Sequence, residues 1–474
     1  MDNKVLSSRE YLTMLRSYGP LILLLSALNL GSGCTSLPDV APIIDGSPSA
    51  QGAPQILSSK GLLSPQKSQA IMERLKRSVD PTDILERHTA VVESVTESPL
   101  TKGNRVTLLT DGQATYSAMF QAIRQARDHI NLESYIIEDD ETGRKFATLL
   151  LQKRAEGVRV HIIYDSMGSI GTPDAFFQRL RDGGIEVAAF NPLNPMNSGE
   201  TWSLTHRDHR KILIADGRIA IIGGINISKV YSSRPGQRKQ GKKPPIHWRD
   251  TDIRIEGPAV AELQKLFLDT WLKQKGTKLT GDGFFPKLKE AGPALVRVIG
   301  STPGESNRLP FVIYVSAIAF AENSIHLTCS YFIPDDQIVA ALTGAAKRGV
   351  DVKLILPGTT DSVLALYAQR HHYTDLLKSG VRIYEHKSSL LHAKTAVVDG
   401  VWSTVGSTNM DYLSMLTNDE VNAVILNKEF ALAMERMFAK DLVDSQPILL
   451  EKWQKRPMLP RVRDWFVHLF IRWL

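Results

Sequence analysis

The sequence predicts an α/β fold made of two similar domains, and two observations carry that prediction. From about Arg105 onward, short β-type runs alternate with amphipathic helical patterns, which argues for a mainly parallel sheet covered by helices. The alternation then occurs a second time. A chain of 474 residues accommodates two domains of roughly 150–200 residues each. The expected divisions are a leader over 1–34, a linker and helical segment over 35–100, domains over 101–275 and 276–440, and a basic aromatic tail over 441–474.

Composition fits a globular chain, with 43% apolar and 23% charged residues. A formal net charge of +7 favours anionic partners without separating nucleic acid from anionic lipid. Two cysteines exclude a disulfide framework. Cys329 sits in an apolar strand and reads as a small buried hydrophobe.

Taken in order, the chain begins with Lys4, Arg9 and Arg16 ahead of an apolar run from Leu21 to Leu30, the pattern of a secretory signal. About ten apolar residues are too few to span a bilayer. Gly31-Ser32-Gly33-Cys34-Thr35-Ser36 then resembles the cleavage site of bacterial lipoproteins, although Leu30 stands one place early and Gly31 takes the usual leucine position. That resemblance implies lipidation at Cys34 and a membrane-associated protein of the bacterial cell envelope. Residues 35 to about 65 are rich in Pro, Ser, Gly and Ala and read as a flexible tether. A helical pattern follows from Ser68 to His88.

Val106 to Leu109 reads as the first strand and Tyr116 to Arg127 as the helix behind it. The spacing then predicts a strand over 130–137, a helix over 143–156, a strand over 158–165, a helix over 173–182 and a strand over 185–190. Ala259 to Lys273 is the connecting helix, and the second domain runs from Leu295 to about Phe438. Aligning the chain on itself pairs Ile130-Asn131-Leu132-Glu133-Ser134-Tyr135 with Ile325-His326-Leu327-Thr328-Cys329-Ser330-Tyr331, and Gly157-Val158 with Gly349-Val350. One insertion, from Arg234 to Pro245, carries five cations with Pro and Gly; it reads as a solvated loop or as a basic lip for lipid headgroups or nucleic-acid phosphates. Arg461 to Leu474 mixes cations with Trp and Phe, as interfacial helices do, and is too short and charged to span.

The chemistry lies in the most closely repeated stretch. His209-Arg210-Lys211 is followed by Asp216 and by Gly223-Gly224-Ile225-Asn226. His392-Ala393-Lys394 is followed by Asp399 and by Gly406-Ser407-Thr408-Asn409, with the same 17-residue step from His to Asn. The residues between Lys and Asp are mostly apolar, which suits a strand buried on both faces. On such a strand His and Lys, two apart, point the same way and can converge on one anion. This arrangement, H-x-K-x4-D then G-[GS]-x-N, resembles the phospholipase D superfamily.

The resemblance implies phospholipase D-type α/β/α domains packed as a pseudo-twofold pair with one shared active site. It also implies that one histidine attacks phosphorus to form a phosphohistidine while the other protonates the leaving oxygen and then activates water or an alcohol. His209 is the nucleophile by that resemblance; the residues themselves leave His209 and His392 equivalent. Lys211, Lys394, Asn226 and Asn409 would bind the non-bridging oxygens, and Asp216 and Asp399 would be mainly structural. No metal or cofactor is called for, and His371-His372 lacks the companions of a ligand set. His161, His326 and His386 read as core histidines, and His206 as a pocket-lining candidate.

A nucleophilic imidazole needs a partner that fixes its tautomer. The self-alignment puts Asp250 opposite Glu420, so Asp250 is expected to orient His209 and Glu420 to orient His392. His206 to Lys211, Trp248-Arg249-Asp250 with Glu256 to Val260, and Ser330 to Asp335 resemble the bacterial cardiolipin synthase branch over roughly residues 100–440. That branch implies phosphatidyl transfer at an anionic phospholipid membrane surface. The same residues also suit a phospholipase D that hydrolyses lipid to phosphatidic acid. A secreted nuclease would use them too, but nucleic acid is the less expected partner.

Overall fold

A computed structural model of the chain describes residues 37–46, 54–194, 203, 205–232, 247–274, 276–304 and 308–469. The leader with Cys34, the basic insertion over 234–245 and residues 470–474 lie outside the described residues. Strands of the first half are β1 (Leu100–Leu109), β2 (His129–Ser134), β3 (Arg159–Asp165), β4 (Glu186–Phe190), β5 (Lys211–Ala215), β6 (Ile219–Gly223) and β7 (Asp252–Glu256). Its helices are α1 (Gly112–Gln125), α2 (Glu141–Ala155), α3 (Asp174–Asp182) and α4 (Val260–Lys273). Asp111 and Asp140 cap α1 and α2 by accepting backbone N–H bonds from the first turn.

The second half repeats this with β8 (Ala294–Ser301), β9 (Ser324–Cys329), β10 (Asp351–Pro357), β11 (Arg382–His386), β12 (Lys394–Val398), β13 (Trp402–Gly406) and β14 (Asn418–Leu426). Helices α5 (Leu309–Ala319), α6 (Asp336–Lys347), α7 (Val363–His371), α8 (Lys428–Val443) and α9 (Met458–His468) accompany them. Spatial order is β1-β7-β6-β5-β2-β3-β4 in one half and β8-β14-β13-β12-β9-β10-β11 in the other, so every strand has a counterpart. The edge strands β1 and β8 pair antiparallel through Asn104 with Ala294 and Thr101 with Val296, joining the two into one sheet.

The sheet is mixed rather than mainly parallel. Among these fourteen strands only β2-β3-β4 and β9-β10-β11 run parallel; their other pairings within each half are antiparallel. The cause is the length of the connections. Helices α2 and α3 supply the crossovers that parallel pairing requires, whereas only Asp216-Gly217-Arg218 separates β5 from β6. That turn is a hairpin with Asp216 at φ 53° and Gly217 at φ 59°, matched by Asp399 at 50° and Gly400 at 61°.

Two further expectations need correction. The helix expected over 68–88 is two helices, Pro65–Lys76 and Arg87–Val95, because Pro81 fixes its own φ and bars the helix at Asp80. The tether expected over 35–65 is partly built into the fold: Ile56 is fully buried and pairs in parallel with Leu100 of β1. His88, on the second of those helices, bonds Ser316 of α5 at 2.9 Å and accepts the Trp402 indole N–H at 3.0 Å.

Residues Pro38–Leu474 form one compact unit. Strand β5 explains why the motif run alternates so poorly with polar residues. Ile212 and Ile214 enter a central core shared with Val296, Val397, Val405 and Ala423 of the second half, while Leu213 and Ala215 enter the core under α1 and α2. Burying each Ile or Leu of this strand contributes about 1.5–3 kcal/mol, so both faces are committed to packing.

The motif aspartates hold the far end of these strands. Asp216 accepts the backbone N–H groups of Arg127, Asp128 and His129 at 2.8–3.1 Å. Asp399 accepts those of Glu322, Asn323 and Ser324 at 2.8–2.9 Å, together with the Thr82 hydroxyl at 2.5 Å. Replacing Asp216 by Ala strands three donors, and we expect a loss of about 2–4 kcal/mol in urea unfolding. A loss below about 0.5 kcal/mol would show that water replaces the carboxylate and that the turn holds itself.

Candidate active site

Each motif histidine stands just before the strand that carries its lysine, where chain from the opposite half runs beside it. Arg207–Asp208 pair in parallel with Asn418–Asp419, and the His209 N–H donates to the Asp419 carbonyl at 2.9 Å. Reciprocally, Leu390–Leu391 pair in parallel with Trp248–Arg249, and the His392 N–H donates to the Arg249 carbonyl at 2.7 Å. The next residues of those neighbours are Glu420 and Asp250.

The carboxylate partners are therefore crossed relative to expectation. His209 Nδ1 lies 3.0 Å from both oxygens of Glu420, and His392 Nδ1 lies 2.6 Å from Asp250 Oδ2. The self-alignment itself is sound, since Gly223 pairs with Asp252 and Gly406 with Asn422, which makes 250 and 420 equivalent. Equivalence within a repeat says nothing about which half each side chain serves. The exchange of short strands between halves decides that. With Nδ1–H given to a carboxylate, the neutral tautomer of each ring carries its lone pair on Nε2.

The lysines and asparagines complete the set. Lys211 Nζ donates to the His209 carbonyl at 2.5 Å and lies 5.2 Å from the Tyr135 ring centre; Lys394 Nζ donates to the His392 carbonyl. Asn226 Oδ1 accepts the Ile136 N–H at 3.0 Å, and Asn409 Oδ1 accepts the Ser330 hydroxyl at 2.7 Å. In both, the carbonyl end is tied; the Asn226 amide gives one N–H to the Tyr231 hydroxyl at 3.2 Å, which leaves its second N–H and the Asn409 amide to meet an anion. Tyr135 meets the His209 ring edge-on at 5.2 Å, and Tyr331 meets His392 at 6.2 Å. His206 lies next to this group, its Nε2 2.9 Å from Asp419 Oδ1.

Asp216 and Asp399 are not brought to this cluster. They close the hairpins at the opposite ends of β5 and β12, five residues past each lysine or roughly 17 Å at strand rise.

Several participants were invisible in the motif. Ser407 donates to Glu420 Oε2 at 2.5 Å, and at the equivalent place Gly224 leaves the room that the Asp250 carboxylate fills. Arg210 is buried and clamps three elements: it donates to the Glu420 carbonyl (3.1 Å), Thr270 Oγ1 of α4 (2.7 Å) and the Ser301 carbonyl of β8 (2.8 Å). The signal available was that these positions differ between the copies, Arg210 standing where the second copy has Ala393 and Gly224 where it has Ser407.

Burial sets the electrostatics. It lowers the His209 pKa against the opposing pull of Glu420, and lowers that of His392 with help from Lys394. Burial also pushes Lys211 down to about 7, against Glu420. Although burial raises Glu420, His209 and Lys211 outweigh it and hold the carboxyl ionised. Both imidazoles are thus neutral near pH 7 in the site as it stands, the state an attacking nitrogen needs and the one from which the proton-giving ring must first be charged. Among the described residues, no group of three or more His, Cys, Asp or Glu is arranged to hold a metal ion.

A family model described as "Cardiolipin synthase, PLD-like domain" matches residues 119–234 and 314–442. The chain belongs to that family. A cardiolipin synthase of Geobacillus sp. (strain WCH70) is 36% identical over 369 residues, covering 77% of this chain and 72% of the relative. Cardiolipin synthase A of Pseudomonas syringae pv. syringae (strain B728a) is also 36% identical, over 346 residues, with 72% and 69% covered. The crystal structure of a phosphatidylserine synthase from Haemophilus influenzae Rd KW20 aligns with TM-score 0.60 at 13% identity, over 81% of this chain and 98% of that one, and shares the fold.

Two outcomes are expected of this geometry. In histidine-ring NMR, Glu420→Gln should perturb the Nδ1 resonance of His209 and leave that of His392, and Asp250→Asn should do the reverse, each carboxylate change costing turnover about 10–100-fold. The opposite pattern would restore the uncrossed assignment. Sulfate should bind the charged form of Lys211, so its Kd should rise by up to about tenfold per pH unit above about pH 7, and Lys211→Gln should flatten that rise. A Kd unchanged from about pH 6 to 9 in the parent protein would remove Lys211 from the anion site.

Proposed function

We propose that the protein is a phosphatidyltransferase that makes cardiolipin from phosphatidylglycerol and a second phospholipid. The observation that carries the chemistry is the pair of buried imidazoles, each held in one tautomer by a carboxylate from the opposite half. The named relatives, cardiolipin synthases matched over most of their length, support the lipid substrate.

In this reading His209 Nε2 attacks the phosphorus of the donor lipid, and His392 gives a proton to the departing alkoxide. The products are a phosphatidyl-histidine and a free headgroup alcohol. His392, now neutral, takes the proton from the glycerol hydroxyl of phosphatidylglycerol, whose oxygen displaces His209 from phosphorus. Lys211, Lys394, Asn226 and Asn409 stabilise the charge on the non-bridging oxygens. Burial, helped by Lys394, holds His392 neutral, and the negative charge of the entering phosphodiester opposes both, which favours protonation of His392 for the first step.

Transfer rather than hydrolysis is supported by burial. His209 and His392 are 8% and 5% exposed, so bulk water meets the intermediate poorly. Association with a membrane follows from such substrates. No helix among the described residues is long and apolar enough to cross a membrane. We assign the tethering to acylation of Cys34, on the leader pattern ending at Gly31-Ser32-Gly33-Cys34.

Incubation with phosphatidylglycerol and phosphatidylethanolamine vesicles should yield cardiolipin by mass spectrometry, and His209→Ala should lower the rate at least about 1,000-fold. Phosphatidic acid as the main product would make water the acceptor and overturn transfer.

A further inference from the structure

Helix α9 has an inner face whose contacts are accounted for. Val467 packs with Ile333, Ala365 and Ala368, His468 stacks on His371 at 3.8 Å, and Arg463 lies 3.5 Å above the Tyr367 ring. Asp464 is buried and receives Arg456 at 2.9 Å and Arg463 at 3.2 Å. The outer face is of another kind. Met458, Leu459, Val462, Trp465, Phe466 and Leu469 are each 51–81% exposed. At 100° per residue they fall within an arc of roughly 120°, opposite Asp464 and Val467, with Arg461 and Arg463 at its two edges.

A contiguous apolar stripe of this size costs free energy in water and marks a contact surface. Its position ties it to the active site. The same small core that holds Val467 includes Tyr331, whose ring meets His392 at 6.2 Å, so α9 lies one packing layer from a reacting histidine.

We propose that the outer face of α9 docks into the headgroup layer of an anionic phospholipid bilayer and seats the His392 side of the active site on the lipid surface. The charge pattern selects this occupant. Arg461, exposed at one edge of the apolar arc, complements lipid phosphates, with the apolar residues entering the acyl boundary. A second copy docking face to face would set Arg461 and its neighbours against like charges. The proposal rests on the lipid-transfer reading and adds how the substrate surface is met.

The test uses the full chain and vesicles of phosphatidylglycerol brominated near the top of the acyl chains. The fluorescence of Trp465, taken as the difference between parent and Trp465→Phe, should be quenched by at least about half. The double substitution Met458→Glu/Leu459→Glu should lower cardiolipin formation on vesicles about tenfold and leave the rate on monomeric short-chain phosphatidylglycerol within about twofold. Both residues are exposed, so thermal unfolding should stay unchanged. Unquenched Trp465 with cardiolipin still forming overturns the docking and leaves the function standing. Quenching without cardiolipin supports the docking and removes the transferase reading. Sedimentation showing a dimer that the double substitution dissolves, with Trp465 unquenched, assigns the face to self-association and overturns the proposal.

Discussion

The site depends on two short parallel pairings by which the halves exchange chain, Arg207–Asp208 with Asn418–Asp419 and Leu390–Leu391 with Trp248–Arg249. Each is two residues long and adds few hydrogen bonds. Their effect is positional: each brings a histidine beside the other half's strand entry, where the next side chain is a carboxylate. Arg210 reinforces the arrangement by bonding α4 of one half and β8 and β14 of the other. Such a guanidinium costs several kcal/mol to desolvate, a cost offset by these acceptors together with the Asp419 and Glu133 carboxylates at 3.6 and 3.9 Å. The catalytic geometry and the joining of the halves are thus one structural fact.

The pKa pattern follows from the same joining. Enclosure by two halves lowers the imidazoles and the lysines together, and the carboxylates restore part of what burial removes. An anion entering this space meets amide and ammonium donors whose orientation is already fixed by Ile136, Ser330 and the histidine carbonyls. Little reorganisation remains for the transition state to impose, which is how preorganised sites lower barriers.

Much of this was legible in the sequence. The doubled spacing of His, Lys, Asp and Asn located the cluster, and hydrophobic periodicity placed the helices and strands between 112 and 190 within a few residues. What failed has physical reasons. A buried strand reads the same whether its neighbours are parallel or antiparallel, so the hairpins at Asp216 and Asp399 made the sheet mixed against expectation. Repeat alignment equates Asp250 with Glu420 but is blind to exchange between halves. Ser407 and Arg210 occupy motif positions that vary between the copies, and their roles lie in long-range contacts.

The crossed carboxylates also order events during synthesis. His209 leaves the ribosome about two hundred residues before Glu420, the group that fixes its tautomer. Until β14 is made and docked, His209 and Lys211 lack their carboxylate counterweight. The crossed arrangement is therefore completed late, by a strand that takes its place between β8 and β13.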